Sequence, residues 1–181
     1  MNLTDLFITD ADFYEVVPVS KNTDVTASIL QMILQSQENY ILPIICYDMY
    51  DELQLEINTN TVTADNLTLL SYIKQPLAWF TLYEAYPFIW SKAREMGVVK
   101  QKNDSVEAVE LSDITYLRGQ AYKNAQKGIE KLTRYICNNR ALYPLIKVIT
   151  CNSCGVCSTS CNGNCTCGCK GKLSNIYFHF D

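Results

Sequence analysis

The chain has 181 residues, is 48% hydrophobic, carries a formal net charge of −4 and has a pI near 5.0. That length suggests one domain plus an appendage, and some 150 residues ahead of a cysteine-rich end are enough to bury a core without disulfides or metals. No basic block occurs, which argues against a protein that grips a phosphate backbone, while an acidic wall along which DNA slides is compatible with this balance.

The first segment, "MNLTDLFITDADFY", has no basic stretch followed by an apolar run, so it does not read as a signal peptide, and no stretch reaches the length of apolar residues a membrane span needs. The chain therefore reads as made and kept in a cytosol, where disulfides are uncommon. "ITDADFYEVV" (8–17) predicts a short helix, with Thr9 or Asp10 as N-cap, an acidic first turn and Pro18 as the stop.

Residues 24–42 predict a second helix capped by Asp24. Ile29, Ile33 and Tyr40, with Leu30 and Leu34 beside them, recur near 3.6 spacing. Pro43 suits the first position of the next helix, 43–57, so two antiparallel helices joined by almost no loop are expected. Cys46 lies in the apolar run "PIICYDMY" and reads as a small packed hydrophobe.

After a turn at 58–63, with Thr63 or Asp65 as cap, residues 64–97 predict a long helix with two apolar stripes. Leu70, Ile73, Leu77, Phe80 and Phe88 form one; Tyr72, Trp79, Tyr83, Tyr86 and Trp90 form the other. A helix apolar nearly all round must be covered on both sides. Either the same chain closes over both faces or a second copy covers one of them. Pro76 and Pro87 each remove a hydrogen bond and predict kinks or breaks. Glu84 falls on the apolar stripe and is expected to be buried and paired with an arginine such as Arg94 or Arg118.

The segment 98–111 is polar, with β-like runs either side of "KNDS", and reads as a hairpin or as a connector without structure. Residues 112–140 form the clearest helix. Ser112 or Asp113 caps it, and Ile114, Leu117, Ala121, Ala125, Gly128, Leu132 and Tyr135 repeat along one face, where the small residues admit a second helix closely. The whole predicts an all-α bundle of four to five helices over 1–150, then a cysteine-rich tail over 151–181.

Nothing in the chain assembles a catalytic set. The one histidine, His179, stands near the end, and no P-loop, dinucleotide fingerprint or zinc-protease motif occurs, so an enzyme is not expected. The tail holds seven of the nine cysteines, spaced C-x2-C-x2-C-x3-C-x3-C-x-C-x-C. Cys151, Cys154, Cys157 and Cys161 follow the spacing of a bacterial ferredoxin run, but Asn162 replaces the usual proline and the second run is missing. Four thiolates at this spacing also suit a zinc tetrahedron. Free or partly oxidised thiols and specific disulfides stay open as alternatives. None of these outcomes makes the protein an enzyme, and a metal-binding regulatory or interaction module working through the tail is the second functional reading. The closing "NIYFHF" alternates, with Ile176, Phe178 and Phe180 on one side and Tyr177 and His179 on the other, and reads as a strand that either adds to a partner's sheet edge or folds back on its own bundle.

The order of "ITDADFYEVVPVSKNTD", "ILPIICYDMYDEL", "LLSYIKQPLAWFTLYEAYPFI" and "LSDITYLRGQAYKNAQ" followed by "IEKLTRYICNN" and "LYP" resembles the head–tail connector (adaptor) proteins of tailed phages, including crAss-like phages of gut bacteria. The likeness covers roughly residues 8–145 and leaves the cysteine tail outside. It implies a virion structural protein that forms a ring, usually of twelve copies, under the portal. Such a ring extends the channel through which genomic DNA passes and offers a platform to further ring or tail proteins. On that reading Tyr72, Trp79, Tyr83, Tyr86, Trp90, Ala121, Ala125 and Gly128 carry contacts between copies. Ile176, Tyr177, Phe178 and Phe180 dock on the portal, no membrane is involved, and no cofactor is required, with zinc in the tail one of the alternatives its cysteines leave open.

Overall fold

The computed structural model describes residues 6–19, 26–95, 99–102, 105–108 and 111–146. Five α-helices dominate them: α1 (Asp10–Val16), α2 (Thr26–Ser36), α3 (Leu42–Thr59), α4 (Ala64–Glu95) and α5 (Leu111–Asn138). A two-stranded antiparallel hairpin, β1 (Val99–Lys102) with β2 (Ser105–Ala108), sits between α4 and α5, with Val99 opposite Ala108 and Lys102 opposite Ser105. The all-α expectation holds, and the polar excursion is a hairpin. The Asp24 cap, the cysteine tail and the terminal strand fall outside the described residues.

Helix α1 starts where its local chemistry dictates. The Thr9 hydroxyl accepts from the Asp12 amide at 3.1 Å, and the Asp12 carboxylate accepts from the Thr9 amide at 2.8 Å, which closes a capping box. Val17 leaves the helix in extended conformation ahead of Pro18.

No loop intervenes between α2 and α3, in keeping with the almost loop-free joint expected ahead of Pro43. The chain stays helical but widens into a π segment, Gln37–Ile41, in which the Leu42 amide reaches the Gln37 carbonyl. Pro43 has no amide to offer Asn39, and its ring crowds the carbonyl four residues back; a wider turn ahead of it relieves that crowding. The change of direction comes three residues later, at Cys46, with φ 66° and ψ 161°.

Helix α4 is the axis of the molecule. Buried residues encircle it: Leu69, Ile73, Leu77 and Phe80 on one side, Ala78, Leu82 and Ala85 on the other. Helices α1 and α2 and the π segment pack on it, and α5 packs along it most extensively. The same chain therefore supplies cover for both apolar faces, the first of the two alternatives the pattern allows. Phe88 departs from its expected stripe and is 56% exposed.

Neither proline breaks α4, which runs through Pro76 and Pro87 to Glu95. At Pro76 the bulk of the ring meets Gly128 of α5, where a Cβ placed on the glycine would lie 2.9 Å from the Pro76 Cβ and Cδ. Only glycine lets the two helices come this close without displacement. After α5, a 3-10 turn (Arg140–Leu142) brings Tyr143 back into the core, where its hydroxyl donates to the Asp65 carbonyl at 2.7 Å.

Candidate interaction surfaces and the buried polar cluster

The aromatic flank of α4 is shared between packing and exposure. Trp79, Tyr83 and Tyr86 are half-buried against the core. Tyr72 is 39% exposed and stacks on Tyr135 of α5, ring centroids 4.1 Å apart and planes 12° from parallel. Trp90 lies on the last turns of α4, and its side chain is outside the described residues. Ala121 and Ala125 are buried, and Gly128 faces Pro76, so the close approach read from these small residues is made to α4 of the same chain. A side chain already covered in this way has no surface left for a second copy, which corrects the assignment of Ala121, Ala125 and Gly128 to contacts between copies.

Glu84 finds Arg118, one of the two partners expected, but the arrangement is larger than an ion pair. The Tyr40 hydroxyl, carried by the π segment, donates to Glu84 Oε1 at 2.5 Å, and Arg118 Nη2 lies 3.9 Å from Glu84 Oε2. Arg118 also covers the Tyr83 ring at 4.1 Å and donates from Nε to the Tyr83 carbonyl at 3.2 Å. That last bond has a cause in the sequence. Pro87 is four residues after Tyr83 and has no N–H, so the Tyr83 carbonyl lacks its helical donor and Arg118 replaces it. Burial pushes the Tyr40 phenol well above its usual range, and the neighbouring Glu84 carboxylate adds to the shift, so Tyr40 keeps its proton and acts only as a donor to Glu84.

A second polar set pins the start of the bundle. Gln37 is fully buried; its Oε1 accepts from the Phe7 amide and its Nε2 donates to the Tyr50 hydroxyl, each at 2.8 Å. The hydrogen bonds named in these two sets satisfy a backbone group or hold a ring. Neither set places a nucleophile beside a base, the geometry that acyl or phosphoryl chemistry requires.

The exposed surface is more informative. Phe88, Tyr116 (66% exposed) and Leu117 lie toward the hairpin end of the α4–α5 pair, and Tyr47 (71%), Leu55 and Leu67 lie on α3 and the start of α4. Sequence periodicity placed Phe88 and Leu117 inside because both continue an apolar stripe, and periodicity does not report where such a stripe emerges at the surface. Tyr47 and Leu55 had no signal of their own, since an apolar residue on a short helix reads equally well as core.

Among the described residues no group of three or more histidine, cysteine, aspartate or glutamate side chains is arranged to hold a metal. Cys46 and Cys137 are not in disulfides. Cys151, Cys154, Cys157 and Cys161 lie outside the described residues, as do Ile176, Tyr177, Phe178 and Phe180. No described helix is long and apolar enough to cross a membrane.

Residues 41–156 match the model of a family of unknown function, DUF6712, and the chain belongs to that family. The matched region takes in α3 to α5 and ends two cysteines into the tail. No curated protein and no solved structure matches the chain.

Proposed function

We propose that this member of the DUF6712 family is a structural subunit of a phage head–tail junction, one copy in a ring that sits under the portal and continues the DNA channel. The observation that carries the reading is the set of large apolar side chains left exposed on a small, well-filled bundle, Tyr47, Leu55, Phe88, Tyr116 and Leu117 among them. Large apolar side chains grouped on the surface of a closed core are the kind of feature that marks a contact surface, whereas singly scattered ones are ordinary. The acidic balance and the order of helical segments support the same assignment, and the polar clusters serve the fold instead of a reaction. The molecule is built to be placed, and its work is done by its surfaces.

On this reading the protein acts in the virion after assembly in the host cytoplasm. Its partners are copies of itself, the portal protein and the next ring or tail protein, and the count of copies follows the portal. The terminal "SNIYFHFD" segment supplies the docking strand for the portal. Electron microscopy of the full chain, alone and mixed with the portal protein of the same phage, tests the proposal. Rings with an axial opening, or density under the portal, are the expected result; a chain that stays monomeric in both samples overturns it. Replacing the tail cysteines by serine leaves ring formation intact if the bundle carries the assembly. Loss of assembly together with stoichiometric zinc in the wild type transfers the function to the tail.

A further inference from the structure

Charge is segregated along this chain to a degree that its modest net charge conceals. From residue 22 to residue 73 there are seven aspartates and glutamates and no lysine or arginine. Helix α3 carries the centre of that stretch. Tyr47, Asp48, Asp51, Leu55 and Asn58 are exposed along one outward face, spaced at one helical turn. Helix α5 shows the opposite character. Its inward face is committed to α4, and its outward face exposes Lys123, Lys127, Lys131 and Arg134, again one turn apart, with one carboxylate, Glu130, among them and Tyr116 exposed further toward its start. Among the described residues Lys123, Lys127 and Arg134 have no carboxylate partner, and Lys131 reaches only the Gln75 amide oxygen.

We infer that the outward face of α3 on one copy docks on the outward face of α5 on the next, so that the chain associates with itself head to tail. The inference deepens the ring reading and rests on its premise that the occupant is a second copy. Charge complementarity chooses that occupant. Pairing α3 with α3, or α5 with α5, sets like charges face to face, so a two-fold contact centred on either face is disfavoured. Pairing α3 with α5 sets Asp48 and Asp51 against the lysine row, and Tyr47 and Leu55 flank those two carboxylates as apolar contacts. The lengths agree: 47–58 and 123–134 each span about 17 Å at the helical rise. Because the two faces belong to different elements, each copy offers one of each kind, and the ring proposed above forms by repeating this contact from copy to copy.

The test uses the full chain. Asp51→Lys with Leu55→Lys alters the acidic face, and Lys123→Glu with Lys127→Glu alters the basic one. All four positions are exposed, and circular dichroism and the melting temperature of each variant establish that it is folded. Sedimentation velocity over a concentration series then reads assembly. Each variant alone is expected to raise the concentration at which the chain assembles by at least about tenfold, and raised salt does the same to the wild type. Mixing the two variants restores assembly, because each supplies the charge the other now needs. If the wild type assembles and both variants assemble equally well, the faces assigned here are wrong while the ring reading stands. If the wild type never assembles, with or without the portal protein, both fall. If duplex DNA binds the wild type, and the lysine variant loses that binding while assembling normally, the basic row serves phosphate and the inference is overturned.

Discussion

Cys46 is the most strained residue described. Its φ of 66° with ψ of 161° lies in a region that is essentially reserved for glycine, and residues forced into such regions cost about 1–3 kcal/mol. The strain persists because its neighbours fix the joint: Ile45 and Met49 are buried on either side, and Gln37 ties the π segment to Tyr50 and to Phe7. Replacing Cys46 by glycine removes the Cβ clash, and only part of the gain is offset by the wider freedom of glycine in the unfolded chain, about 0.5–1 kcal/mol. Cys46→Gly is therefore expected to stabilise the protein by about 1 kcal/mol, read as a shift in the urea midpoint at constant slope. Cys46→Ala, which keeps the Cβ, gives no such gain. The sequence identified Cys46 as an apolar position but not as a bend, because nothing in "PIICYDMY" breaks the helical pattern.

At the scale of elements, α4 and α5 illustrate how a helix can carry two prolines and remain whole. Each proline is matched across the contact. Gly128 yields the room that the Pro76 ring takes up, and Arg118 supplies the hydrogen bond that Pro87 withholds from Tyr83. Arg118→Ala leaves a partly buried carbonyl without a donor and uncovers the Tyr83 ring, a loss of about 2 kcal/mol. Pro87→Ala returns an amide to that carbonyl, so in its background Arg118→Ala is expected to cost about 1 kcal/mol less. A double-mutant cycle by chemical denaturation measures the difference, and additive effects would mean that the guanidinium acts through Glu84 alone. The ion pair itself contributes little, since its 3.9 Å separation and the exposure of Arg118 leave it screened by water.

For the whole molecule, the attachment of α1 to α4 is the contact most open to pH. Lys74 on α4 reaches Asp12 at 2.8 Å and Glu15 at 2.5 Å on α1, while Asp12 also closes the capping box with Thr9. Burial pushes the Asp12 carboxyl up, but the hydrogen bonds from Lys74 and Thr9 and the Lys74 charge outweigh it, so the carboxyl sits below its ordinary 3.8. A carboxyl depressed in the folded state contributes stability that is present above 3.8 and disappears as pH falls through the lower folded value. Asp12→Asn is thus expected to cost about 1 kcal/mol near neutral pH, mostly through the cap, and the gap to wild type closes below about pH 4. Hydrogen bonds to Asp12 and Glu15 raise the Lys74 ammonium above 10.5, so its own contribution is complete below that value and is lost as pH rises through the higher folded one. Denaturation curves collected across pH follow both ends.

Local chemistry alone determined much of this protein. The Thr9–Asp12 cap, the helical character from α1 to α5, the stop at Pro18 and the polar hairpin between the long helices all follow from residues within a few positions of one another. The rest depended on groups 30 to 78 positions apart, such as Phe7 with Gln37 or Asp65 with Tyr143, which no window along the chain brings into view. Periodicity reports that a helix face is apolar; it does not report what lies against it. Only the folded chain decided that α1, α2 and α5 close over the two faces of α4, that Gly128 of α5 faces a proline, and which large apolar side chains, Tyr47, Leu55, Phe88 and Tyr116 among them, stay exposed.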